Sequence, residues 1–402
     1  MVSRKSIQAA AERIAGGVYE SPLVFSEHLS GITGNAIYLK LENQQMTGSF
    51  KERGALNRIL TLTESERRRG VIAASAGNHA QAVAYHAVRR GIPAEIWMPR
   101  HTPLIKTSAT RGYGAEVVLA GQNYDEACEG ALRRSKESGA TFLHAFDDEE
   151  VIAGQGTLGL EILRQQPALD AIVVPVGGGG LIGGLACAVK QTRPEVEVIG
   201  VQTAKLPSMQ AALERNEPVT LPAEATLADG IAVRRAGSLT LPLVREYVDR
   251  MVSVDEEELA TAILTLLERE KSLAEGAGAA ALAAVLHHKT GHRGKRICVV
   301  ISGGNLDVNL LARIIERGLV RDGRRLRLRI RLQDYPGELE RLASTIAKCN
   351  ANIVETLHNR AHYGVSLGET AIDVTLETRG REHCNEIYGA LETANYPFSV
   401  IE

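Results

Sequence analysis

The chain has 402 residues and a formal net charge of −2, so it has no basic field that would favour a nucleic-acid partner. Aromatic residues make up only 4% of the sequence and form no cluster with basic residues of the kind that stacks on bases. The five cysteines never form a C-x-x-C pair, which argues against a disulfide framework and a zinc site. No apolar leader and no run of about 18 apolar residues occurs, so we expect a cytoplasmic protein without membrane contact.

Short apolar runs alternate with stretches of helical periodicity between about residue 37 and residue 303. The predicted strands cover residues 36–42, 70–75, 94–99, 115–120, 171–176, 197–201 and 296–302. Strands that are apolar throughout, each followed by a helix, are typical of α/β folds in which a mainly parallel sheet is covered on both faces. Further along, Asp255 followed by Glu258 predicts the capped start of a helix.

The composition changes after about residue 312, where a charged, glycine-containing stretch begins. We interpret residues 319–325 as a linker that follows a first region of residues 1–318. Residues 326–402 begin with a strand of alternating basic and apolar residues, which predicts one buried and one wet face. They continue in the order β-α-β-β-α-β, which is the ferredoxin-like pattern.

The stretch TGSFKERGA places Lys51 just inside a predicted helix that Ser49 would cap. The positive end of the helix dipole and the neighbouring Phe50, which limits water, would both lower the pKa of this lysine. A lowered pKa is what an amine needs to attack a carbonyl and to act afterwards as a base. Taken alone, a lysine in this position is more often an ordinary surface charge, and the other motifs change that interpretation.

A run of four glycines lies between a predicted strand and a helix that begins near Leu181. Four glycines let the backbone approach an anion closely, and the helix N-terminus directs free amides at it, so a phosphate fits. The run also satisfies G-x-G-x-x-G, but a dinucleotide site needs an acidic residue at the end of the next strand. Gln202 stands there, so the NAD fingerprint is incomplete. A turn that serves only packing is the other alternative.

Two further motifs place polar groups at the carboxyl ends of predicted strands, where parallel sheets bind their ligands. SAGNHAQ offers free amides and the side chain of Asn78, although Asn78 as a plain helix cap is the alternative. ISGGN delivers Ser302 at the end of a buried strand, a weak signal by itself. An amine, a phosphate cradle, a second anion site and a hydroxyl together indicate pyridoxal 5'-phosphate, bound as a Schiff base.

In this order, SFKERGA, SAGNHAQ, VGGGGL and ISGGN resemble the fold type II pyridoxal-phosphate enzymes, and within them the threonine dehydratases. The resemblance covers about residues 5–318. It implies a tryptophan synthase β-like α/β fold with two open, twisted, mainly parallel sheets covered by helices, and a smaller lobe of about residues 45–148. The C-terminal region, with its DYPGEL turn, resembles an ACT domain, a small amino-acid-sensing module with a ferredoxin-like fold.

The resemblance implies a role for each motif residue. Lys51 would be the catalytic residue and would carry the cofactor, with Phe50 beside it. The cofactor phosphate would be bound by the backbone amides of Gly177, Gly178, Gly179, Gly180 and Leu181. Asn78 would hydrogen-bond the ring hydroxyl of the cofactor, and Ser302 its pyridine nitrogen. The substrate carboxylate would be surrounded by Ser75, Ala76, Gly77 and His79.

Serine racemases are relatives by the same resemblance, and they need an acid–base group on each face of the substrate Cα. In those enzymes the second group is a serine immediately before the Gly-Asn pair, whereas here Ala76 has no proton to give. They also have a divalent-cation site that begins with a glutamate at the position of Gln202. The resemblance therefore favours elimination, and we predict no metal site.

By resemblance we expect elimination of L-threonine to 2-oxobutanoate and ammonia, with side activity on L-serine. A dehydratase or racemase acting on serine or 3-hydroxyaspartate is the alternative, and a non-catalytic amino-acid sensor or a NAD enzyme is more remote. The ACT-like domain would bind an amino-acid effector such as isoleucine, at the turn from Asp334 to Gly337 and at Asn352, or would serve only packing or dimerisation. Relatives are commonly dimers or tetramers, so we expect a homo-oligomer, in isoleucine biosynthesis or in threonine catabolism.

Overall fold

The computed structural model describes residues 2–359 and 368–401, and the chain divides into two units, residues 1–307 and 308–402. The helices of the first unit are α1 (Arg4–Ile14), α2 (Glu27–Thr33), α3 (Lys51–Leu60), α4 (Glu64–Arg69), α5 (Asn78–Val88), α6 (Leu104–Gly112), α7 (Tyr124–Ser138), α8 (Glu149–Gln165), α9 (Gly180–Lys190), α10 (Ser208–Arg215), α11 (Thr240–Tyr247), α12 (Glu256–Arg269) and α13 (Gly276–Leu286). Its strands are β1 (Leu23–Ser26), β2 (Ala36–Leu41), β3 (Val71–Ala74), β4 (Ala94–Met98), β5 (Glu116–Leu119), β6 (Thr141–Phe142), β7 (Ala171–Pro175), β8 (Glu197–Thr203), β9 (Arg250–Val254) and β10 (Arg296–Ile301).

The larger sheet of the first unit has the strand order β1-β2-β10-β7-β8-β9. All neighbouring pairs are parallel except β1 and β2, which pair antiparallel at the edge. Strands β7 and β10 lie near its middle and are apolar along almost their whole length, because helices cover both faces. The predicted mainly parallel α/β sheet is confirmed.

The smaller sheet has the order β5-β4-β3-β6, with every pair parallel. Parallel strands need crossover helices, and α5, α6 and α7 supply them between successive strands of this sheet. The carboxyl ends of β3, β7 and β10 each lead directly into one of the motifs singled out in the sequence. Each motif therefore begins at the edge where parallel sheets bind ligands.

Each of the seven predicted strands corresponds to an observed strand, with ends that differ by at most two residues. Strands β1, β6 and β9 were not predicted. β1 exposes its two middle residues, β6 has only two residues, and β9 is only partly buried, so none of them has a continuous apolar run. The predicted cap of α12 is confirmed, since Asp255 accepts from the amide of Glu258 and the carboxylate of Glu258 accepts from the amide of Asp255.

The second unit contains α14 (Val308–Arg321), β11 (Arg325–Gln333), α15 (Glu338–Lys348), β12 (Asn352–Asn359), β13 (Glu369–Glu377), α16 (Arg381–Thr393) and β14 (Phe398–Val400). From β11 onward the order is the predicted β-α-β-β-α-β, and the sheet is antiparallel with the order β12-β13-β11-β14, as in ferredoxin-like folds. The apolar residues of β11 are buried and the basic ones are not, so its predicted alternation is confirmed. Residues 360–367, which belong to the predicted C-terminal domain, lie outside the described residues.

Helix α14 occupies the stretch where the sequence predicts the end of the first region. Residues 319–321, the first part of the predicted linker, belong to this helix, and the division between the units falls at residues 307 and 308. The charged side chains in this stretch suggested a linker, but they also fit the exposed face of an amphipathic helix. Composition alone does not distinguish a linker from such a helix. Within the described residues, no helix is both long and apolar enough to cross a membrane.

Candidate active site

A cavity of about 870 Å³ lies between the two sheets of the first unit, at the carboxyl ends of their strands. Every site residue predicted from the sequence lines it: Phe50, Lys51, Ser75, Ala76, Gly77, Asn78, His79, Gly177, Gly178, Gly179, Gly180, Leu181 and Ser302. These residues are spread over about 250 positions of the chain, and the fold brings them to one place. The roles assigned to them remain predictions.

Lys51 is the first residue of α3, and the predicted cap of that helix is wrong. Phe50, not Ser49, is the N-cap residue, and no side chain caps the helix. The backbone of Ser49 is held in a bridge with Gly303, and the amide of Phe50 donates to the carbonyl oxygen of Ser302 at 3.0 Å. The buried hydroxyl of Ser49 has no partner among the described residues. The start of the helix is therefore fixed by pairing with the strand end, not by a cap.

The side chain of Lys51 is half-buried, and its amine is oriented by specific contacts. Its Nζ donates to the carbonyl oxygen of Ala145 at 2.8 Å and lies 5.2 Å from the centre of the Phe50 ring. Burial lowers the pKa of Lys51 to about 8, although the charge of Glu275 opposes the shift. A larger fraction of this amine is thus neutral near pH 7 than for a lysine in water.

The glycine run after β7 forms a cradle that side chains would fill. A Cβ on Gly178 would lie 2.4 Å from the Phe146 ring, and one on Gly180 would lie 2.9 Å from the carbonyl oxygen of Phe146. Gly179 has φ of 95°, which favours glycine, and α9 begins directly after it without a side-chain cap. The first amides of a helix have no partner within the helix, so they are available to an anion. The cradle fits a phosphate group.

Asn78 begins α5 and is held by two polar side chains. Its Nδ2 donates to Glu275 Oε1 at 2.5 Å, and its Oδ1 accepts from Asn305 Nδ2 at 2.8 Å. Asn305 also donates to the carbonyl oxygen of Thr47. This network joins the TGSFKERGA, SAGNHAQ and ISGGN segments, and it leaves one hydrogen of the Asn78 amide for a ligand.

His79 has a more limited role than the sequence suggested. Burial, and secondly the charge of Lys51, lower the pKa of His79 to about 3, so the ring is neutral. Its Nε2 lies 2.9 Å from the carbonyl oxygen of Leu143 and must donate to it, which leaves Nδ1 as an acceptor without a partner in the described structure. A neutral acceptor cannot donate to a carboxylate. Only the backbone amide of His79 is suited to the predicted contact with a substrate carboxylate.

By resemblance, Glu275 matches a family segment near the cofactor, whereas the residue pattern itself favours core packing, which is an incomplete interpretation. The residue is buried, but it lines the cavity and bonds to Asn78. Burial and then the charge of Asp229 raise the pKa of Glu275 to about 8. An acidic residue directly before the apolar run of α13 was the available signal, because buried carboxylates are rarely found without a partner.

The segment from residue 220 to 238 also lines the cavity. By resemblance, residues 225–233 match a family segment near the cofactor, with no catalytic step assigned to them. Two ion pairs join it to the helices of the smaller sheet: Lys106 to Asp229 at 2.7 Å, and Arg234 to Asp125 at 2.6 Å. The segment has little regular structure apart from one short 3₁₀ turn. Its composition has no periodicity, so only the resemblance of residues 225–233 predicted a place near the cofactor.

Gln202 has a structural task at the end of β8. Its Oε1 accepts from the amides of Met209 and Gln210 at 3.1 and 3.0 Å, so it caps the start of α10. A dinucleotide site or a cation site would need an acidic residue at this position. The position is occupied instead by the neutral Gln202, which caps a helix. Among the described residues, no group of three or more His, Cys, Asp or Glu side chains is arranged to hold a metal ion.

A mainly parallel α/β fold with two sheets, and with a lysine amine and a glycine cradle in the cavity at the strand ends, defines the class of fold type II pyridoxal-phosphate enzymes. A family model described as pyridoxal-phosphate dependent enzyme matches residues 14–303. The chain belongs to this family and uses pyridoxal phosphate as its cofactor.

The chain is similar to several known proteins and solved structures. It is 50% identical over 401 residues to a protein of Thermotoga maritima named L-threonine ammonia-lyase, with all of both chains covered. The structure of processed threonine deaminase isoform 2 from Solanum lycopersicum matches with a TM-score of 0.73 at 38% identity, over 78% of this chain and 93% of that one. Maize serine racemase matches with a TM-score of 0.75 at 34% identity, over 80% of this chain and 98% of that one.

Proposed function

We propose that the protein is a threonine ammonia-lyase that eliminates water from L-threonine and releases an enamine, which hydrolyses to 2-oxobutanoate and ammonia, with side activity on L-serine. The observation that carries this proposal is the half-buried amine of Lys51, in one cavity with a phosphate cradle. The full-length similarity to an L-threonine ammonia-lyase supports threonine as the substrate. The proposal places the enzyme in the cytoplasm, in biosynthetic or catabolic amino-acid metabolism.

The residues around the cavity fit the cofactor group by group. The amides of residues 177–181 would hold the phosphate, and Asn78, oriented by Glu275 and Asn305, would donate its remaining amide hydrogen to the ring hydroxyl. Ser302, at the end of β10, would meet the pyridine nitrogen. A neutral serine there would leave that nitrogen largely unprotonated, whereas an aspartate would hold a proton on it.

When bound, pyridoxal phosphate supplies an electron-withdrawing ring that makes the substrate Cα–H acidic and lets the β-substituent leave. The amine of Lys51, once exchanged for that of the substrate, would take the Cα proton onto Nζ. Its burial favours the neutral form that can accept a proton, and its contact with the Ala145 carbonyl keeps Nζ oriented in the cavity wall. The amides of Asn78 and His79, which begin α5 and have no partner within the helix, would hold the substrate carboxylate.

Racemisation is the competing activity, because maize serine racemase has a similar fold. A racemase needs a second acid–base group on the face of Cα opposite Lys51. Ala76 lines the cavity at the predicted position of that group and has only a methyl side chain. The proposal is therefore elimination without racemisation.

The test is formation of 2-oxo acid from L-threonine and L-serine by the wild type and by Lys51→Ala. We expect 2-oxobutanoate from the wild type, and loss of at least about 10³-fold in kcat in the variant, because both the covalent attachment and the base are removed. Chiral chromatography of the remaining serine should show no D-serine. D-serine formation at a rate comparable to pyruvate formation, or full activity of Lys51→Ala, would contradict the proposal.

For the rest of the molecule, the proposal assigns catalysis to residues 1–318 and regulation to the ferredoxin-like region, residues 326–402, as an ACT domain. Its effector would be an amino acid such as isoleucine, bound at the turn that begins at Asp334 and at Asn352. We also propose that the enzyme is a homo-oligomer, a dimer or a tetramer. The β-α-β-β-α-β order and antiparallel sheet of the second unit support the ACT assignment.

A further inference from the structure

Gln155, on α8, has a buried amide group that the activity described above does not use. The residue is only 1% exposed and lines the cavity. Its Oε1 accepts from the backbone amide of Gly54 at 3.2 Å, whereas its Nε2 is buried and has no partner among the described residues. A buried donor without an acceptor is costly, so an acceptor oxygen is expected beside it in the working enzyme.

The orientation of this amide is fixed by its neighbours. If the side chain were flipped, its NH₂ group would face the N–H of Gly54, and two donors would meet. A Cβ on Gly54 would lie 2.4 Å from Nε2, so glycine at this position is what allows the Gln155 amide to lie against α3. The close crossing of the two helices depends on a second glycine as well, because a Cβ on Gly154 would lie 2.7 Å from the Cα of Gly54.

This crossing places Gln155 beside the reactive amine. Residues three apart share one face of a helix, so Gly54, which the Gln155 amide covers, lies on the same face of α3 as Lys51. Helix α8 begins four residues after Ala145, whose carbonyl oxygen accepts from Lys51 Nζ. The unpartnered donor and the reactive amine therefore belong to the same wall of the cavity.

We propose that Nε2 of Gln155 donates a hydrogen bond to an anionic oxygen of the bound ligand next to Lys51. Two groups can supply such an oxygen: the carboxylate of the amino-acid substrate and the phosphate of the cofactor. The choice between them rests on the function proposed above, whereas the donor role itself requires only that the cofactor bind.

The decisive substitution is Gln155→Glu, which keeps an oxygen for the Gly54 amide and replaces the NH₂ donor with an acceptor. The chain offers a matched control in Gln202→Glu. Gln202 is also fully buried, its Oε1 also accepts backbone amides, and its Nε2 also lacks a partner in the described structure. Gln202 caps α10 and does not line the cavity. Its replacement by glutamate should therefore change the stability of the protein without changing ligand affinity.

Two equilibrium measurements separate the two sources of the oxygen. Titration of the apoenzyme with pyridoxal phosphate gives the cofactor dissociation constant, and titration of the holoenzyme with L-2-aminobutanoate, which has no β-hydroxyl to lose, gives the affinity for the amino-acid carboxylate. We expect Gln155→Glu to weaken one of them by about ten- to hundred-fold, as for the loss of a charged hydrogen bond, and Gln202→Glu to weaken neither. Weakening of the cofactor alone identifies the phosphate, and weakening of 2-aminobutanoate identifies the carboxylate.

Unchanged affinities in a folded Gln155→Glu protein, with a melting temperature lowered as in Gln202→Glu, would overturn the proposal and leave Gln155 a structural residue. If Gln155→Glu does not fold, a crystal structure of the unmodified holoenzyme with 2-aminobutanoate decides the question. It shows either a ligand oxygen within hydrogen-bonding distance of Nε2, or only water or protein there, which overturns the proposal. If Gln155→Glu loses affinity for the cofactor and the unmodified enzyme deaminates no amino acid, this inference stands and the proposed function fails.

Discussion

Lys51 and Glu275 line the same cavity, and each has a pKa near 8 for the same main reason. Burial penalises a charge whichever its sign, so it lowers the pKa of the amine and raises that of the carboxyl group. The two shifts have opposite consequences as pH changes. The amine gains its reactive neutral form as pH rises, whereas the carboxyl group loses the neutral form that burial favours.

The rate at which the apoenzyme captures pyridoxal phosphate should follow the neutral fraction of Lys51. We expect it to rise with pH and to level off above about pH 8, because the pKa of this amine is lowered to about 8. Stopped-flow absorbance measures the rate, and Nα-acetyl-lysine under the same conditions corrects for ionisation of the cofactor. A rate that keeps rising in parallel with the model amine would show that Lys51 is an ordinary lysine.

Glu275 should make the apoenzyme less stable as pH rises from about 4.5 to 8. In this window the folded protein retains a proton that the unfolded chain has released, so the free energy of unfolding falls with pH. We expect Glu275→Gln to flatten this fall, as measured by urea denaturation of the apoenzyme at several pH values. Glu214→Gln, at an exposed site, is the matched control and should follow the wild type. Parallel curves for wild type and Glu275→Gln would contradict the predicted raised pKa.

Sequence alone identified the residues whose chemistry depends on local motifs, and it missed those whose chemistry depends on contacts. Lys51 stands in a nine-residue stretch with a helix start, so its reactivity was predicted. Asn305 and Glu275 acquire a role only by contact with Asn78, which lies about 200 positions away in the chain. The cap by Ser49 was wrong because pairing with Gly303, also distant in sequence, fixes its backbone.

Among the elements, the glycine cradle depends most strictly on the absence of side chains. Phe146 packs directly over it, so the loop has no space for a methyl group at Gly178. The sequence predicts an anion site here, because a strand, four glycines and a helix are a local pattern. The aromatic residue that closes the cradle was not predictable, since it comes from the loop before α8.

Gly178→Ala should weaken binding of pyridoxal phosphate by about ten- to hundred-fold, because the added methyl group would force Phe146 or the loop to move. Gly183→Ala is the matched control in α9. Its Cβ would meet Leu243 at 3.3 Å, and the alanine favours the helix. Titration of both apoenzymes with the cofactor makes the comparison. Equal affinities would show that the loop adapts and that its glycines are not required for the anion.

At the scale of the whole molecule, the chain consists of two units with separate cores, and the regulatory assignment concerns the second. The order of strands there was predictable because each strand and helix has its own periodicity. The boundary between the two units was not predictable, because the charged face of α14 has the same composition as a linker.

L-Isoleucine should change the deaminase activity of the full chain through the second unit. We expect Asn352→Ala to remove this response and to leave basal activity unchanged, with Thr393→Ala, an exposed site on α16, retaining the response. Activity against isoleucine concentration, with isothermal titration of each protein, is the measurement. If Asn352→Ala binds and responds as the wild type does, the effector site lies elsewhere, and if no amino acid binds the wild type, the regulatory role is wrong.

Strand β10 comes from residues 296–301, yet it lies between β2 and β7 in the larger sheet. During translation, β2 leaves the ribosome early, whereas its neighbouring strand β10 is synthesised much later. At about 5–20 residues per second, the 260 residues from the end of β2 to the end of β10 take roughly 13 to 52 s. During that time the apolar edges of β2 and β7 are open and can pair with other chains. We therefore expect nascent chains to depend on chaperones, and products terminated before residue 296 to aggregate without ever holding the cofactor.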